Sequence, residues 1–138
     1  MARILIIDEA LELRIALTRF LAALGHEVVA LASAEDVIGP DRRLIASDNF
    51  DVAILEVAGP DARTLRLVAI LKGIFAGLKI VVSAKPEVAA AFDGPASLSR
   101  ALGAAAAIFK PFTAAQLSGT LDRLLDPSSN GSDSTSHE

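Results

Sequence analysis

The chain contains no cysteine, which excludes a disulfide framework and any metal site built on thiolates. Histidine is scarce: His26 and His137 are far apart, and the second lies in a polar tail, so a zinc centre is not expected. No apolar run approaches the roughly 20 residues that span a bilayer. Between Arg3 and Asp8 lie only Ile4-Leu5-Ile6-Ile7, too short for the core of a signal peptide. The expectation is a cytoplasmic chain with no membrane partner. Positive charge is also short: 13 Lys and Arg stand against 17 Asp and Glu, a net charge of −4. A nucleic-acid partner would need a basic stripe to displace counterions. Arg42-Arg43 is the only basic doublet, and it reads as a solvated helix face.

What the chain does have is apolar residues, 52% of the total with a mean hydropathy of +0.49. Much of this is alanine and short Ile/Val/Leu runs, as expected where helices cover both faces of a sheet. At 138 residues there is material for one core, not two. Strands are predicted at 4–7, 28–31, 51–55, 79–82 and 105–109, the last despite alanines that would suit a helix. The stripe Leu13, Leu17, Phe20, Leu21, Leu24 predicts a helix over 11–24, stopped by Gly25. Ser33 caps a second helix, which Gly39-Pro40 interrupts before the pattern resumes over 41–47. Further helices are expected over 62–75, 87–92 and 96–102, the last two separated by the breaker Asp93-Gly94-Pro95. Thr113 caps a final helix with the apolar face Leu117, Leu121, Leu124, Leu125. From Asp126 onward nothing is available to bury, and a mobile tail over 126–138 is expected.

Five alternations of strand and helix predict an α/β fold: a doubly wound parallel sheet of order 2-1-3-4-5 with helices on both faces. In such a sheet the site lies outside the strand C-termini, at the switch point between the first and third strands. That edge carries Asp8, Glu9 and Glu56, and Lys110 ends the fifth strand. Three acids and one lysine in one pocket outline a phosphoryl-transfer or metal site. Lys110 alone does not balance three carboxylates, so a cation or a retained proton is expected there.

The set Asp8-Glu9, Glu56, Pro60, Ser83-Ala84 and Lys110-Pro111-Phe112, in this order on this pattern, resembles the receiver domain of two-component response regulators. The likeness runs from Arg3 to about Leu125, with residues 1–125 forming the domain. It implies Mg²⁺ held by Asp8, Glu9, Glu56 and the backbone carbonyl of Ala58, Glu9 being the more direct ligand of the pair. It implies phosphoryl chemistry at the position of Glu56, with Ser83 bonding the phosphoryl oxygens and Lys110 neutralising their charge. Pro111 matches the family's cis proline, which aims the lysine. Implied partners are a sensor histidine kinase or a downstream signalling protein. A homodimer contact is also implied, through the face of the fourth helical region, the fifth strand and the last helix. The chain itself is then expected to be no enzyme.

Two departures qualify these expectations. The family carries aspartate where Glu56 stands, and the extra methylene displaces the carboxylate by about 1 Å, enough to spoil an aligned transfer with Mg²⁺. Ala107 stands where the family has an aromatic that couples the strand-four hydroxyl to the outer face. The expected reading is an atypical pseudo-receiver in which Glu56 reaches Lys110 and stands in for phosphoryl charge; an inert or substituted receiver is the bland alternative. The 83–103 stretch is longer than usual for the family, which reads either as a remodelled docking surface or as a neutral insertion. From other classes, a flavodoxin-like ligand binder would need a hydroxyl- and glycine-rich loop after the first strand. The chain offers Asp8-Glu9-Ala10-Leu11-Glu12 instead. An inert oligomerisation scaffold is the remaining alternative.

Overall fold

The computed structural model describes residues 1–38, 49–59 and 61–126. The expectations for Gly39-Pro40, the 41–47 helix, Arg42-Arg43, Pro60 and the tail beyond Asp126 lie outside them. The described elements are β1 (Arg3–Ile7), α1 (Leu11–Ala23), β2 (Glu27–Leu31), α2 (Glu35–Ile38), β3 (Val52–Val57) and α3 (Ala62–Ile74). They continue with β4 (Lys79–Ala84), α4 (Pro86–Ala89), α5 (Pro95–Leu102), β5 (Ala106–Phe109) and α6 (Ala114–Leu125). All five strands are parallel, in the order β2-β1-β3-β4-β5.

Strand alternation sorts the apolar runs onto two faces. Ile4, Ile6, Val52, Ile54, Val81 and Ile108 pack with Leu17 and Leu21 of α1 and Leu117 and Leu121 of α6. Leu5, Ile7, Ala53, Leu55, Ile80 and Val82 face the other way, onto Val68 and Leu71 of α3 and Leu98 and Leu102 of α5. Phe50 and Phe75 meet edge to face at 5.2 Å beneath this second layer.

Local chemistry sets the ends of the elements. Gly25, at φ 94°, follows α1 and lets His26 N–H return to the Leu21 carbonyl at 3.1 Å. The hydroxyl of Ser33 accepts from Glu35 N–H at 3.1 Å where α2 begins. Asp61 caps α3, and its pKa is lowered because its carboxylate accepts the Thr64 amide. Thr113 and Gln116 close a reciprocal capping box at α6.

Three expectations shift. β3 extends past 55 through Glu56 to Val57, because Ser83 and Ala84 of β4 continue the pairing. The 87–92 helix is a single turn at Pro86–Ala89, with Pro86 in its first turn. Leu24, expected on the buried stripe of α1, is half exposed beyond the helix end. Among the described residues no helix is long and apolar enough to cross a membrane.

Candidate functional site

β1, β3 and β5 deliver their C-terminal ends to one edge of the sheet, where three charged side chains meet. Lys110 Nζ donates to Glu56 Oε2 at 2.8 Å and to Asp8 Oδ2 at 2.9 Å. These side chains are only 15%, 11% and 3% exposed respectively. An unpaired ion at that depth would cost several kcal/mol, so each depends on the others.

Each member is held by backbone as well. Asp8 donates its N–H to the Leu31 carbonyl, its Oδ1 accepts from Ala10 N–H at 3.0 Å, and its carbonyl accepts from Arg14 Nη1 at 2.8 Å. Lys110 donates its N–H to the Ala84 carbonyl at 2.8 Å, and the peptide to Pro111 is cis, as the resemblance implied. Burial pushes the Lys110 pKa down, but the hydrogen bonds to Glu56 and Asp8 outweigh it. The net result lies above the ordinary value of 10.5.

A second cation attends Glu56, one the sequence reasoning did not single out. Lys85 Nζ lies 4.0 Å from Glu56 Oε2, with its side chain about half exposed at the start of α4. Glu9, by contrast, is exposed. The expected imbalance of three acids against one lysine is therefore reduced: the two inner carboxylates, Asp8 and Glu56, face two ammonium groups, and Glu9 lines the clefts from the exposed side. The signal for Lys85 was present, because it directly follows β4 as Asp8 and Lys110 follow their strands.

Ser83 lies opposite Glu56 in the strand register and is buried. Its hydroxyl donates to the Leu55 carbonyl at 3.4 Å rather than to the ion cluster. Glu9, Glu56 and Ala58 line two clefts above the edge. One of about 440 Å³ adds Asp8 and Arg63, and one of about 340 Å³ adds Lys85 and Glu87. A larger cleft of about 520 Å³ lies away from these groups, between α5 and α6 along β5, with Ala105, Ala106 and Ala107 in its lining.

Mg²⁺ takes near-octahedral oxygen ligands and needs several carboxylate or carbonyl donors free to face it. Among the described residues no three Asp, Glu, His or Cys side chains are grouped so as to hold a metal ion. Both oxygens of Asp8 and one of Glu56 each accept an N–H hydrogen bond, so a metal ion would have to share those oxygens with the donors already there. Asp8, Glu9, Glu56 and Ala58 line one cleft, but the Lys110 ammonium stands between Asp8 and Glu56, and with it there these residues do not fit the divalent ion. The ammonium is held from both sides, by Asp8 and by Glu56.

No family model and no curated protein matches the chain. Solved structures do. The chain is similar to the chemotaxis response regulator CheY4 of Vibrio cholerae, with 24% identity, TM-score 0.69, and coverage of 91% of this chain and 99% of that one. It is similar to a response regulator receiver protein of Burkholderia phymatum, with 19% identity, TM-score 0.72, and coverage of 91% and 95%. A response regulator from Thermotoga maritima matches with 18% identity, TM-score 0.70, and coverage of 91% and 98%. The fold is that of response-regulator receiver domains.

Proposed function

We propose that residues 1–125 act as a signalling module of the receiver type in a two-component or phosphorelay pathway. It works by contact with a sensor histidine kinase or a downstream signalling protein, and without phosphoryl transfer to Glu56. The observation that carries this reading is the closed cluster Asp8–Lys110–Glu56, seated at the strand edge where this fold places its site.

Transfer to Glu56 would require a free carboxylate oxygen aligned with the donor phosphorus and a divalent ion bridging the two. Glu56 Oε2 accepts from Lys110 and faces Lys85, which turns the carboxylate toward two ammonium groups, and among the described residues the acids of the edge are not grouped to hold the bridging ion. The carboxylate thus supplies, permanently and by its own length, a negative charge next to the lysine. Ala107 supplies no aromatic to relay a change at Ser83 outward, so the partner reads a fixed surface. The surface we assign to partner contact, including contact with a second copy of the chain, is the face of α5, β5 and α6. The cleft of about 520 Å³ is there. The segment 86–95, broken into a single turn and Gly94-Pro95, flanks this face as a remodelled part of it. The module needs neither Mg²⁺ nor turnover of its own in this reading.

Treating the chain with acetyl phosphate and MgCl₂ and measuring its intact mass tests the proposal. The expected spectrum shows the unmodified mass alone. One stoichiometric phosphoryl group on Glu56 would overturn the reading.

A further inference from the structure

We infer that the Lys110 ammonium is the resident cation of this site and shuts divalent metal ions out of it. The inference deepens the proposed function, because it rests on the same cluster being the functional centre. Its basis is geometric.

The ammonium lies between the two least exposed carboxylates of the edge, 2.9 Å from Asp8 Oδ2 and 2.8 Å from Glu56 Oε2. A metal ion recruited by those same two oxygens would lie within a few ångströms of a fixed positive charge. At that range in a partly buried setting the repulsion is large. The lysine is also poorly placed to withdraw. Its side chain is packed to 15% exposure and its Nζ is held by two carboxylates at once. Lys85 adds a second positive charge 4.0 Å from the same Glu56 oxygen, closing the approach from β4. The remaining acid, Glu9, is exposed and pairs with neither lysine among the described contacts; it lines the same clefts as Glu56 and Ala58 but completes no group of three acids that could hold a metal ion among the described residues.

Glu56 brings its Oε2 within 2.8 Å of Nζ, and a side chain shorter by one methylene is expected to lie farther from it. The charges of the two inner acids are matched, Asp8 and Glu56 against Lys110 and Lys85, which leaves Glu9 as the one acid of these without a lysine among the described residues. A divalent ion entering such a site would gain little attraction, and would still have to shed tightly held water.

Removing the ammonium should convert the same oxygens into a metal site, because Asp8 and Glu56 would be left side by side with no adequate counter-charge. The test is a titration of the full chain with MnCl₂, followed by the electron paramagnetic resonance signal of the free ion. The unaltered chain is expected to leave that signal undiminished. Lys110→Met is expected to take up one equivalent, with affinity raised about tenfold or more. Glu56→Asp, which keeps every charge and draws the carboxylate back, is expected to show a smaller gain. Circular dichroism establishes that each variant is folded, and the Glu56→Asp and unaltered chains carry the test if Lys110→Met does not fold. Saturable uptake of one Mn²⁺ by the unaltered chain, abolished by Asp8→Asn, would overturn the inference. So would folded variants that gain nothing. The acetyl phosphate experiment reports separately: a phosphoryl group on Glu56 sinks the proposed function whichever way the metal titration falls.

Discussion

Lys110 shows how far a single side chain can be read from sequence and where the reading stops. Its place after an apolar run, followed by Pro111 and Phe112, marked it as a residue of the strand edge. Its contact with Glu56 was expected from the sequence, and the structure adds Asp8 as a second acceptor on the same ammonium, a geometry that sequence spacing does not encode. Glu9 illustrates the converse. Adjacent acids look equivalent in the sequence, yet Asp8 is buried and Glu9 is exposed. Replacing Lys110 by methionine leaves two buried carboxylates without their principal partner, a loss of about 3–5 kcal/mol in urea denaturation at neutral pH. Adding Glu56→Gln should recover part of that loss. The pH dependence has a definite sign. A lysine whose folded pKa lies above 10.5 contributes its stabilisation in full below that value and loses it as pH climbs through the folded value. Denaturation midpoints should therefore show no Lys110-dependent change from neutrality up to about pH 10, and fall above it in the unaltered chain only.

Among the elements, the caps and the strand ends were the most legible. Thr113 before an apolar helix pattern announces an N-terminus, and the structure adds the return bond from Gln116 to complete it. Thr113→Ala should lower stability by about 1 kcal/mol, measured by chemical denaturation, with the helix otherwise retained. β5 was harder to read, because four alanines in succession favour helix on propensity alone. Tertiary context decides otherwise. Ala104 and Ala107 pack into the layer that also holds Leu98 and Leu102 of α5. Small side chains there let the helix lie close to the strand. Ala107, with Ala105 and Ala106, lines the cleft of about 520 Å³ between α5 and α6. The helix expected over 87–92 was overestimated because alanine content promises helix, whereas after Ala89 the chain tightens into three-residue turns, with Ala91 N–H on the Val88 carbonyl and Phe92 N–H on the Ala89 carbonyl.

At the scale of the whole molecule the fold was visible because every central strand is a short, continuous apolar run and every connection carries a helical stripe. Once the sheet order is known, the edge that collects Asp8, Glu56 and Lys110 follows from topology. Lys85 was overlooked because an exposed lysine after a strand looks like solvent-facing charge until its distance to Glu56 is seen. The ion cluster has a further consequence, for kinetics. It fastens residue 8 to residue 110, a separation of 102 positions, across the first, third and last strands. Such a clasp can close only after the intervening sheet has assembled, since the entropy of so long a loop is otherwise unrecovered. It should therefore behave as a latch on the finished structure. In stopped-flow measurements Lys110→Met would speed unfolding while leaving the refolding rate nearly unchanged, so that the charges at one rim of the sheet govern how long the molecule stays folded.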